Sequence, residues 1–169
     1  MTALRVETVD EKTVRLAGIA PLMADCLQRL GDILGQRDTP AARQRLIPTP
    51  STDDSINAEW ERFVTPDLRH LFVSAGETVL QDLTAMQADP HDPKCFRVAF
   101  PAAHINAWMS AINQARLILS EQHHVTEQDM NRQGLDLKRT TDIPLIRINL
   151  LGWILGVLIQ YGDRAGTVG

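Results

Sequence analysis

Apolar positions along this chain recur at two periods, and the changes between them mark out its elements. Residues 4–9 (LRVETV) and 13–17 (TVRLA) alternate apolar and polar around Asp10-Glu11-Lys12, which predicts a β-hairpin. From Ile19 to Leu34 the spacing becomes i, i+3, i+4, with Ile19, Leu22, Met23, Cys26, Leu27, Leu30, Ile33 and Leu34 on one helical stripe. Residues 36–58 carry Pro40, Pro48 and Pro50 before a polar Ser51–Ser55 run, so they read as a long surface connection with one helical turn near 41–46. A short helix near 56–63 is expected to bring Ile56, Trp60 and Phe63 together. Thr65-Pro66-Asp67 then opens a longer helix, with Thr65 as its cap and Pro66 at the first helical position. That helix is expected to run to about Met86 and to bury Leu68, Leu71, Phe72, Ala75, Val79 and Leu83. The FRVAF segment at 96–100 is a third strand, and Pro101 begins a helix whose one face carries Ile105, Trp108, Met109, Ile112, Arg116 and Leu119. Thr126 to Asp129 reads as a capping box. Asp142 is placed to cap the last helix, with Pro144 just inside it.

Two parts of this pattern echo each other. TVRLAGIAPLMADCLQRL and CFRVAFPAAHINAWMSAI superpose at an offset of 82 residues, each a short strand feeding a helix in the same apolar phase. Apolar periodicity alone can generate such a match, and so can duplication. A duplication predicts two strand–helix units packed about a local twofold. Either way the fold class is α+β, mainly α: a helical bundle with a small antiparallel sheet.

The 169 residues suit a single domain spanning 1–169, with 36–58 as its proline-rich connection and 162–169 as a flexible tail. Net charge is −4, which argues against broad phosphate-backbone binding and makes nucleic acid an unexpected partner. The two cysteines, Cys26 and Cys95, stand 69 positions apart and form no CxxC. Cys26 reads as a small buried hydrophobe and Cys95, after a loop, as the more exposed. Low cysteine use and an N-terminus without a basic start or apolar run lead us to expect a cytoplasmic protein. In the apolar C-terminal run, residues 150–159 are uninterrupted by charge or strong polarity, while a membrane span needs roughly 20 residues. Arg147 would add an insertion penalty. A core helix is the expectation, and membrane contact is not.

Few polar residues suggest chemistry. His123 and His124 are adjacent, about 100° apart on a helix, whereas a helical metal pair prefers i, i+4. They read as a helix end, capping or facing solvent, and the same reading holds for His91 in a turn and for His70 and His104 on helices. Asp53-Asp54 and Asp89/Asp92 suit turn-making on loops. No GxSxG, P-loop, GxGxxG or deaminase-type motif occurs, so neither catalytic residues nor a cofactor are assigned. Arg116 lies on an apolar phase and must snorkel outward or meet an acceptor; pairing is the expectation and ligand binding the alternative. Arg147 poses the same question. Gly152-Trp153-Ile154-Leu155-Gly156 is a GxxxG on a helix apolar nearly all round, which belongs either at the centre of the domain or at an interface.

Trp108, Asn113, Arg116 and Leu117, then Thr126, Glu127 and Asp129, then Leu151, Gly152 and Trp153 together give the chain a family likeness. It resembles a bacterial domain-of-unknown-function family, also described as AosR-like oxidative-stress regulators. The resemblance implies a non-enzymatic role through protein contacts, with a partner among regulators or the proteolysis machinery, since such genes often lie near that of the ClpS adaptor. A closely spaced cysteine pair linked to redox sensing in that family is missing here. The expected protein is therefore a cytoplasmic regulatory or adaptor-like homodimer, in stress-linked transcription or proteolysis. Its expected structural and interaction residues are Trp108, Asn113, Arg116, Arg147, Gly152, Trp153 and Gly156. The alternatives are a metal-dependent or acid–base enzyme using His123 and His124 with nearby carboxylates, and a direct DNA-binding regulator.

Overall fold

The computed structural model describes residues 3–166. Strands β1 (Arg5–Thr8) and β2 (Thr13–Ile19) form the expected hairpin, closed where the Lys12 N–H donates to the Asp10 carboxylate. The stripe from Ile19 onward divides into α1 (Pro21–Gln28) and α2 (Leu30–Leu34), which meet at Arg29, and β2 claims Ile19 for the sheet. Leu22, expected in the core, is 37% exposed instead.

Helix α3 (Pro40–Leu46) stands where a single turn was expected, and α4 (Asp54–Phe63) starts at a true cap, with the Ser55 N–H donating to the Asp53 carboxylate at 2.9 Å. The connection over 36–58 is thus substantially helical. Ile56 and Phe63 do not join the core: they are 49% and 63% exposed. Helix α5 (Thr65–Leu83) follows almost without a break, because the Leu68 N–H reaches back to the Val64 carbonyl. Thr65 accordingly does not act as a cap; its hydroxyl donates to Glu61 while the residue itself is buried. Leu71 points away from the core at 61% exposure.

A two-residue strand, β3 (Gln87–Ala88), precedes β4 (Phe96–Pro101), and a 3-10 turn over Ala102–His104 leads into α6 (Ile105–Gln122). The capping box opens α7 (Glu127–Met130) as expected: Asp129 N–H donates to the Thr126 hydroxyl, and Thr126 N–H to the Asp129 carboxylate. Helix α8 (Ile143–Gly166) has 24 residues and continues through 162–166, where a flexible tail was expected. Residues 167–169 lie outside the described part. The helix goes on because residues 162–166 include no proline, and each added residue gains a hydrogen bond once a helix is nucleated.

The sheet is antiparallel with order β1-β2-β4-β3, and helices make up 60% of the chain: α+β, mainly α. Its two hairpins lie back to back. At their junction Leu16 pairs with Val98, positions that the offset of 82 equates, as a local twofold requires. The helices break this symmetry, since α6 runs unbroken for 18 residues while its counterpart is split at Arg29. A bulge between Leu16 and Ile19 depends on Gly18, whose φ is +71° and whose Cβ, if present, would lie 2.2 Å from the Ala3 carbonyl oxygen. One apolar cluster joins the sheet to α1, α2, α5, α6 and α8, with Leu16, Leu27, Leu30, Trp108, Ile112, Leu151 and Leu158 fully buried. Helix α6 is wrapped by α2, α3, α5 and α8, whereas α8 packs mainly on α6 and α1.

Candidate functional site: the seam of α6 and α8

Arg116 meets Gly152, and Leu119 to His123 share a cleft with Arg147, so α6 and α8 run antiparallel. The seam brings Arg116 and Gly152, two of the residues singled out from sequence, into contact. At its centre the Arg116 guanidinium lies flat against α8, with Cζ, Nε and Nη2 each 3.3 Å from where a Cβ on Gly152 would stand. Arg116 therefore does not resolve into the expected ion pair. Its Nε is buried without a hydrogen-bond partner, and the planar group packs on helix backbone that only glycine leaves bare. Asn113, one turn earlier on α6, is exposed.

One turn beyond Gly152 the seam opens. Nothing lies within 4 Å of a Cβ built on Gly156. Trp153, on the adjoining position of the same surface, is 59% exposed, and Ile159 is 44% exposed. Helix α8 is long and apolar enough, by length and composition, to cross a membrane, yet 33% of its most apolar stretch is buried. Leu151, Ile154 and Leu158 anchor that inner third in the core. The two glycines thus have different meanings: Gly152 admits Arg116, while Gly156 leaves a notch on an uncovered apolar face.

Arg147 sits on another side of α8, half-buried, in a cleft of about 290 Å³ with Arg29, Asp32, Gln36 and Gln122. Arg29 is committed to Asp25, its Nε donating at 2.9 Å. Among the described residues no carboxylate forms an ion pair with Arg147. Its charge is felt by the neighbouring Cys26, whose thiol burial pushes up to about 11 while Arg147 pulls it part of the way back.

The histidine pair has a conformational explanation. His123 closes α6, His124 has φ +50°, and the Val125 N–H returns to the Ser120 carbonyl at 2.9 Å, the Schellman stop of a helix. Among the described residues no group of three or more His, Cys, Asp or Glu side chains is placed to hold a metal ion. Asp89 and Asp92 accept from the His91 and Lys94 backbone N–H groups, as turn-makers do. Cys95 is a correction: it is 2% exposed, tucked under that turn, and burial and a hydrogen bond with Asp92 both push its thiol up. Both cysteines are free.

Sequence reasoning missed one buried polar network. Asp82 Oδ2 accepts from Trp108 Nε1–H at 2.9 Å and lies 2.9 Å from His104 Nδ1, while the Trp108 ring stacks on Phe100 at 4.4 Å. Hydrogen bonds to a charged acceptor contribute about 1.5–3 kcal/mol each, so this node ties α5 firmly to α6. Its signal was available: His104 and Trp108 stand at i, i+4, and Asp82 interrupts the apolar phase between Val79 and Leu83. A second missed node is Asp142. Fully buried, it receives the Asp136 N–H, Arg132 and Arg139, and so folds residues 131–142 onto the start of α8. Only its backbone carbonyl serves the helix, accepting from the Ile146 N–H.

Taken together these features define a small α+β scaffold with buried polar ties and an uncovered apolar helix face. The chain belongs to the DUF2017 family, a domain of unknown function, matched over residues 6–161. No curated protein and no solved structure matches it.

Proposed function

We propose that this protein is a cytoplasmic, non-enzymatic regulatory or adaptor-like protein that works as a homodimer through the open face of α8. The observation that carries the proposal is Trp153, 59% exposed, beside a Gly156 with nothing within 4 Å. A knob and a notch one turn apart on one helix are self-complementary. A twofold axis passing between them sets each Trp153 into the partner's Gly156 notch, as an isologous interface demands. Tryptophan anchors of this kind dominate interface energies. The likeness to AosR-like regulators, on Trp108, Asn113, Arg116, Gly152 and Trp153, extends the reading to stress-linked transcription or proteolysis, with a regulator or proteolysis component as the further partner.

The test is oligomeric state by light scattering across a dilution series. The wild type is expected to be a dimer and Trp153→Glu a monomer with unchanged helix content. A wild type that stays monomeric at about 100 μM, far above the nanomolar-to-micromolar range of specific complexes, refutes the homodimer.

A further inference from the structure

We infer that the Arg147 cleft is a binding site for a small monocarboxylate. The cleft lies where Arg29 at the α1–α2 junction, α2, the end of α6 and the start of α8 meet, and its volume of about 290 Å³ is near the lower bound of small-ligand sites. Three features of its lining specify the ligand. Arg147 presents the planar fork that matches a carboxylate in two parallel hydrogen bonds, and no ion pair within the described residues occupies it. Ile33 and Leu119 offer apolar wall for a short hydrocarbon portion, and Gln36 and Gln122 supply amide groups for a further polar atom. The charge balance favours one negative charge over two. Arg29 is already neutralised by Asp25, Asp32 adds a negative charge, and α6 ends here at His123 with the negative pole of its dipole, leaving Arg147 as the arginine of this cleft without an ion pair among the described residues. A phosphate dianion would face acidic and carbonyl groups with too little compensation.

Arg147 and Gly156 are nine residues apart on α8, which places them about half a turn out of phase. The site is thus separate from the proposed dimer face, and either can fail without the other. A ligand here would touch α2, α6 and α8 together, so its presence would tighten the helix that carries Trp153.

The experiment is an NMR titration of the isotopically labelled protein with butyrate, and with butyramide and inorganic phosphate in parallel. Butyrate is expected to give saturable shifts at the amides of Ile33, Leu119, Gln122 and Arg147, while neutral butyramide gives none and phosphate binds more weakly. Arg147→Met is expected to abolish the response. Arg147→Lys keeps the charge and the packed stem but loses the fork, and should weaken binding about tenfold. Absence of saturable shifts with butyrate overturns the site, as does butyramide binding equally well or Arg147→Lys binding undiminished. Phosphate binding more tightly than butyrate overturns the monocarboxylate assignment.

Discussion

Replacing each of the α8 glycines with alanine separates the two roles the structure gives them. In a helix interior, alanine is about 1 kcal/mol more favourable than glycine. At Gly156 the new methyl meets nothing within 4 Å, so Gly156→Ala should keep that gain whole. For a chain of this size the melting temperature should rise by about 2–4 °C. At Gly152 the same methyl arrives 3.3 Å from three atoms of the Arg116 guanidinium, which must give by a few tenths of an ångström. Overpacking of this kind costs about 1–3 kcal/mol, so Gly152→Ala should be between neutral and about 2 kcal/mol destabilising. The two alanine variants should then differ by about 1–3 kcal/mol in urea unfolding followed by circular dichroism at low protein concentration. In an Arg116→Ala background the penalty disappears, and Gly152→Ala should recover about 1 kcal/mol. Gly152→Ala stabilising as much as Gly156→Ala in the wild-type background would refute the packing argument. The dimer proposal adds a second readout: Gly156→Ala should raise stability of the dilute protein yet weaken self-association, because the methyl fills the notch.

Two further outcomes follow from buried titrating groups. The Asp136 N–H, with Arg132 and Arg139, holds the Asp142 carboxyl below its usual 3.8. A carboxylate depressed on folding stabilises at pH above its unfolded value and loses that contribution as pH falls through the folded one. Protection of the 131–142 amides relative to their intrinsic exchange rates should therefore stay high at neutral pH and fall only below the ordinary carboxylate range, whereas Asp142→Asn should be poorly protected at pH 7; equal protection in the two proteins at pH 7 would show that the loop is held by something else. For Cys26, a thiol near 11 leaves only about one part in a thousand as thiolate at pH 8, against about a quarter for an ordinary cysteine. Iodoacetamide should label neither cysteine appreciably in the native protein and both in denaturant, read by intact mass; rapid native labelling of Cys26 would contradict its burial.

Much of the fold was legible because it rests on local periodicity. The β1–β2 hairpin, β4, the α6 stripe and the Thr126 capping box each follow from spacing and turn chemistry within a few residues, and each is present. The histidine pair was legible as a helix end for the same reason. Periodicity says which side of a helix is apolar, but not how much of that side another element covers. Leu71 was therefore assigned to a buried face that nothing covers.

By its own residue order, then, the chain determined an antiparallel hairpin, a set of amphipathic helices, the stop at His123-His124, and the strand–helix echo whose offset equates Leu16 with Val98. Tertiary structure alone decided what each polar or small residue faces. It laid Arg116 on Gly152, left Gly156 uncovered one turn away, joined Asp82 to His104 and Trp108, and set Arg147 in a cleft without an ion-pair partner among the described residues. The physical reason is one of range. Backbone propensity and apolar phase act between neighbours in sequence, whereas a close approach or a buried hydrogen bond depends on how segments distant in sequence pack, and it is those contacts that make one glycine a packing requirement and the other an opening.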